Sequence, residues 1–389
     1  MARQIPQKDP KAVADLVQRA REARERLPVI VQQIEDLVGK VDSIELLSQL
    51  TLLSQTHPAN EQPNRDESAR WQVRLEWLTW LVFARGLSSP PHPEVIDARI
   101  LDPLDKLLDE YVFTATMTLP EPVEGLTDDQ NEVRSLIQLE AIHVRGEAFQ
   151  GQLERMANEP YSPHEEWCIG HLGFRVQDAI ALAKAVANRL GDKTAAQHEA
   201  EEQIVSRVHA DPAVALTLDL PPSIGAALAD GLPEDGLEEF AKSIGMAWFF
   251  SRSPEIVGFT LEELQEQVVA EVDPQRVAAF LAFASVAAED IQGEPDLLAL
   301  PPLAVTPLVR YRERFYLFVP GVLFESLFYG FHARLFADEA YRPRYDEARA
   351  QWLVHRLVSS LCYSRDEDAH VSAVASGVDH CGAPPWWLR

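Results

Sequence analysis

The chain has 389 residues, 46% of them apolar and 25% charged, a globular balance with material for two or three domains. Its formal net charge is −26, a field that repels nucleic acid and anionic membranes at long range. No uncharged run approaches the roughly 18 apolar residues of a membrane span, so none is predicted.

The N-terminal MARQIPQKDPKAV has no apolar signal core, and three scattered cysteines (Cys168, Cys362, Cys381) make no disulfide framework. A reducing, cytoplasmic setting is the expectation. The acidity is concentrated: residues 191–300 hold 21 acids against 5 bases, whereas 301–360 hold 8 arginines, no lysine and 6 acids.

A first helix is predicted over 9–26, opened by Asp9-Pro10, and a second from Val29 to Ser54 after a break at Pro28. HPANEQPNRDE (57–67) reads as a loop. Ala69–Ala84 is a helix so rich in large groups (Trp71, Trp77, Trp80, Phe83) that core packing is its expected role. Another helical region covers about 94–112, bent at Pro103. With the polar linker 117–130 this gives an N-terminal helical region, 1–120.

The central acidic helical domain is placed at 121–300. Asn131–Met156 reads as a helix. In His164–Leu190 the glycines Gly170 and Gly173 disfavour continuous helix, so order is expected from Arg175, with a stop at Leu190-Gly191-Asp192. Shorter helices follow at about 195–208, 222–229, 235–244, 260–271 and 274–288. Thr260-x-x-Glu263 is a capping box and Asp273-Pro274 another start. Ser243–Phe250 reads as either a buried strand or a helix end.

Residues 301–361 form a hairpin-plus-two-helix module. Apolar runs Leu303–Val309 and Phe315–Val319 flank the polar patch Arg310–Arg314, which is hairpin grammar with its register open. Apolar helix then runs from about Val322 to Leu335, and a last helix from Tyr345 to Leu361. Residues 362–389 abandon helical periodicity as an irregular tail. The predicted fold class is mainly α, multi-helical, with this small β-hairpin module near the C-terminus.

Metal-ligating patterns are thin. Cys168 and His171 stand one helical turn apart, with His164 and Glu165 nearby, but zinc needs about four ligands and no second such pair exists. A buried thiol beside an interfacial histidine is the plainer reading. Glu199, Glu201 and Glu202 with His198 and His209 read as a solvated acidic face. Glu140-x-x-His143 is one copy of a di-metal motif that needs two, and His370, His380 and Cys381 form a weak tail cluster. No zinc, magnesium or other cofactor is assigned. Phosphate-loop, dinucleotide, His-Glu-x-x-His and Gly-x-Ser-x-Gly motifs are absent from the sequence.

Arg310, Arg312 and Arg314 alternate, so a strand continuing through them would point all three to one face as a phosphate or nucleic-acid contact. Glu313, Asp346 and Glu347 offer structural pairing instead.

Pro307-Leu308-Val309, Phe315-Tyr316-Leu317-Phe318 and Tyr345–Val354 resemble a segment found in large bacterial proteins. There a helical region leads into a restriction-endonuclease-like domain of the PD-(D/E)xK class. The resemblance covers about residues 296–361. It implies a nuclease-linked protein, but the position matching the family's metal-linked glutamate is Val354, and no Pro-Asp or Glu-x-Lys strands follow Leu361. The functional expectation is therefore a non-catalytic interaction or regulatory module with a protein partner or self-association. A metal-dependent nuclease or phosphoesterase and a purely structural oligomer are the alternatives.

Overall fold

A computed structural model describes residues 10–55, 65–118 apart from 88, 150–220, 236–293 and 302–363, together with 224, 225 and 228. The predicted segments 117–130, 131–156 and 222–229 fall largely outside the described residues, and the tail 364–389 with its His370, His380 and Cys381 does so entirely.

The described architecture is mainly α-helical, with one small mixed sheet. Helix α1 spans Pro10–Val38, α2 Ser43–Gln55, α3 Arg65–Ala84 and α4 Ala98–Met117. The break expected at Pro28 does not occur: α1 runs through it. Pro28 and Arg24, whose carbonyl loses the helical amide, are both exposed, while Ala20, Ala23, Ile30, Ile34 and Val38 keep a buried stripe across the site. The true break lies at Gly39–Asp42, where the Asp42 carboxylate accepts from the Glu45 amide. Helix α3 is buried on nearly every side from Val73 to Phe83, and Trp77 stacks on Tyr111 of α4 with ring centroids 3.7 Å apart.

Next come α5 (Gln150–Tyr161), α6 (Glu165–Leu172) and the 35-residue α7 (Val176–Ala210). Gly173, with φ 83°, ends α6 in the left-handed conformation, and Arg175 precedes α7 as expected, but helix already forms before it: α6 runs through Gly170, where none was expected. The stop expected at Gly191 is overridden. Its position is solvent-exposed, and the buried stripe resumes beyond it at Ile204 and Val208. The predicted 195–208 helix is thus the second half of α7. Ser243–Phe250 resolves as helix, within α8 (Leu237–Ser251). Short α9 (Ser253–Val257), α10 (Leu261–Val268) and α11 (Pro274–Ala284) follow, α10 carrying the predicted capping box. The last described helices are α12 (Leu323–Ala337) and α13 (Arg342–Tyr363).

The hairpin forms as β3 (Leu308–Tyr311) and β4 (Arg314–Tyr316), with Tyr311 opposite Arg314. Two further strands join it, β1 (Gly258–Phe259) antiparallel to β4 and β2 (Ser285–Ala287) parallel to β3, giving the order β1-β4-β3-β2. One continuous buried cluster extends from Ile30 to Tyr345, and a second, small one gathers Ile204, Val208, Ala215, Leu228, Ala241 and Ile244 around the far half of α7.

Candidate functional sites

The register of the hairpin separates the predicted arginines. Arg310 pairs across from Phe315 and Tyr311 from Arg314, and directly opposed residues share a face while neighbours alternate. Arg310 and Arg314 therefore lie on opposite faces. The strand does not continue through the patch, because Arg312-Glu313 is a two-residue turn with Arg312 at φ 56° and its guanidinium over the Tyr311 ring. Arg310 and Arg312 are exposed. Arg314 instead reaches inward, its Nη2 donating to the Gly258 carbonyl at 3.0 Å.

That carbonyl is shared with a residue which sequence reasoning did not single out. Arg189 of α7, its side chain only 7% exposed, donates through Nη1 to the Ile256 carbonyl (3.2 Å) and through Nη2 to Gly258 (3.0 Å) and Glu263 Oε2 (2.8 Å). Its guanidinium also lies over the Phe259 ring. Burial pushes its pKa down, against the Glu263 charge that raises it. The Glu263 carboxyl is pushed up by burial, yet Arg189, Lys193, the Thr260 amide and Arg314 outweigh that and hold it below the usual range. The only sequence signal here was the capping box, which positions Glu263.

A second constellation joins α5–α6 to α12–α13. Tyr161, fully buried, donates to the Phe328 carbonyl at 2.7 Å. The Nδ1 of His164 lies 2.9 Å from the Tyr341 hydroxyl, the Trp167 indole donates to Asp338 at 2.8 Å, and His171 stacks on Trp167. Cys168 is buried, and burial, with Glu165 nearby, pushes its thiol up to about 12. His171 lies over Trp167 with its Nε2 3.9 Å from Asp338 Oδ2, so it is turned to that carboxylate rather than paired with the buried Cys168. Among the described residues no three His, Cys, Asp or Glu side chains converge to hold one ion.

A cleft of about 540 Å³ lies between α7 and α8, lined by His198, Glu201, Glu202, Val205, Ser206 and His209 against Glu238, Ala241 and Lys242. Each set is one helical stripe at spacings of three and four. Gly245 lets the two helices close: a Cβ there would stand 2.4 Å from Val205 Cγ2. His198 pairs with Glu201 at 3.2 Å, and Lys242 with Glu238 at 2.6 Å. Arg310, Arg312 and Arg314 do not line this cleft.

No family model, curated protein or solved structure matches the chain. Among the described residues, no helix is long and apolar enough to cross a membrane.

Proposed function

We propose that the chain is a non-catalytic interaction module whose acidic α7–α8 cleft receives a basic, amphipathic helix of a protein partner. The observation that carries this reading is the composition of the cleft. Carboxylates stand on both walls (Glu201 and Glu202, and Glu238) with a single lysine, beside the half-buried Val205. Met246, one turn beyond Lys242 on the same helix, is 51% exposed and adds apolar surface near the cleft. Helix-in-groove recognition uses such apolar surface for affinity and the rim charges for choice of partner.

The test is titration of a designed helical peptide, with leucines on one face and lysines on the other, into the full chain. Saturable binding that weakens with salt is expected. Glu201→Lys with Glu202→Lys should abolish it, whereas Glu262→Lys with Glu266→Lys, the same charge change on exposed α10, should leave it nearly intact. Equal loss in both variants would reduce the interaction to net charge and refute the cleft.

The likeness of residues 296–361 to the approach segment of PD-(D/E)xK nucleases supports a second, compatible reading: regulation of a nuclease partner or neighbour. The hairpin, apolar helix and final helix occur in the order that segment requires. Reading the genome beyond codon 389 for Pro-Asp and Glu-x-Lys strands tests it.

A further inference from the structure

We propose that Lys193 and Arg314, backed by Arg189, form a binding site for a phosphate-bearing anion where α7 passes the end of the sheet. Arg189 and Lys193 stand at i and i+4 on α7, so their side chains rise on one stripe. Arg314 enters from β4 and meets Arg189 at the Gly258 carbonyl, where each donates through Nη2 at 3.0 Å. Three cations thus gather around one nearby carboxylate, Glu263, already bonded to Arg189 and 4.0 Å from Arg314 Nη2. The next acid, Glu255, is turned to Arg252 at 3.6 Å. In a chain of net charge −26 this local excess of positive charge runs against the whole.

Lys193 is the informative member. It is half-buried, yet among the described residues its ammonium makes no hydrogen bond and has no carboxylate within ion-pair reach. Burial first, and then Arg189, push its pKa down. Its stem is half-buried while the ammonium itself is not a buried atom, so the charge stands at the surface, one helical turn from Arg189, where an incoming anion can meet it. Arg314 uses Nη2 on the backbone and retains the rest of its fork for an oxyanion, the ammonium supplying a point charge beside it. Arg189 is committed to the carbonyls and contributes field, not donors. The predicted set Arg310, Arg312 and Arg314 thus yields to a different one, in which Arg314 is the single shared residue.

Inorganic phosphate, titrated into the full chain at low, chloride-balanced ionic strength and followed by calorimetry, tests the site. Saturable binding is expected, weakened at least about tenfold in Lys193→Gln and in Arg314→Gln, since each removes charged hydrogen bonds to the ligand. Lys193→Arg should retain it, and so should Arg310→Gln on the opposite sheet face. Lys193→Gln removes no bond from the fold, so its unliganded melting should match the parent. Absence of saturation, or equal affinity in Lys193→Gln, would overturn the proposal. A phosphomonoester should bind as phosphate does.

Discussion

Arg189 and Gly258 are 69 residues apart in the chain, yet Nη2 of the first donates to the carbonyl of the second at 3.0 Å. With the parallel bond to the Ile256 carbonyl, one guanidinium pins the chain on both sides of Val257 as it leaves α9 and enters β1. The edge strand is two residues long and has little ladder of its own, so a side chain on a long, rigid helix fixes its path. The Thr260–Glu263 capping box adds the third point of attachment, because Glu263 meets both Arg189 and the Thr260 amide.

Arg189→Met should therefore destabilise the fold by about 2–4 kcal/mol, mainly through two buried carbonyls that lose charged donors. The ion pair with Glu263 adds little to that figure, because Glu263 is 39% exposed and screened by solvent. Arg189→Lys should recover only part, since an ammonium cannot span both carbonyls in one plane. Urea unfolding of the three proteins measures this, and a loss below about 0.5 kcal/mol in Arg189→Met would show that the clamp is not structural.

Gly258 itself is required by crowding. A Cβ there would stand 2.6 Å from Tyr316 Cε1 and 2.8 Å from the Pro254 carbonyl oxygen. The ring can shift but the backbone oxygen cannot readily do so. Gly258→Ala should cost about 1–3 kcal/mol, and adding Tyr316→Ala should not restore it. Full rescue by the second substitution, in thermal melts, would place the conflict on the ring alone.

The hairpin could be read from the sequence because apolar runs bracket a polar patch, and the capping box because its two residues serve each other locally. What could not be read follows from non-local causes. Alternation at Arg310, Arg312 and Arg314 looks like strand periodicity, but Arg312 takes a left-handed turn conformation that favours glycine or asparagine, so nothing announced the turn. Strands β1 and β2 are too short for any period and exist through pairing with β4 and β3. Arg189 fell just before a glycine taken to end its helix, and the capping residue Glu263 gave no hint of a partner in α7. Pro28 and Gly191 are local breakers outvoted by buried stripes on either side.

Cys168 should be chemically silent in the folded chain. With its thiol pushed up to about 12 by burial and the Glu165 charge, only about one molecule in ten thousand carries a thiolate at pH 8. Iodoacetamide at pH 8 should leave the Cys168 peptide unmodified in buffer and alkylate it in denaturing urea, as read by mass spectrometry. Rapid native modification would mean that α6 opens, or that the thiol is not packed as described.

Two histidines should set the acid limb of stability. His164 is buried and faces Tyr341, Tyr345 and Arg344; burial, and then the Arg344 charge, lower its pKa. Its Nε2 is buried without a hydrogen-bond partner, and in the imidazolium, where both nitrogens donate, that Nε2–H has nowhere to bond. His332 faces Tyr345, whose hydroxyl lies 2.6 Å from Nδ1, with Phe336, Arg349 and Asp346 around it; burial again leads, Arg349 adds to the lowering and Asp346 opposes it. For both, the unfolded chain binds a proton at higher pH than the folded one. Stability is thus complete above the ordinary value of 6.5 and falls as the pH drops below it towards the lowered folded values. His164→Phe with His332→Phe should flatten the dependence of the urea midpoint between about pH 7 and pH 5. The limb near and below 3.8 should remain, because the Trp167 indole, with the Tyr341 and Ala340 amides and His171, holds Asp338 below that ordinary value. An unchanged slope between pH 7 and pH 5 in the double variant would assign the acid response to other groups.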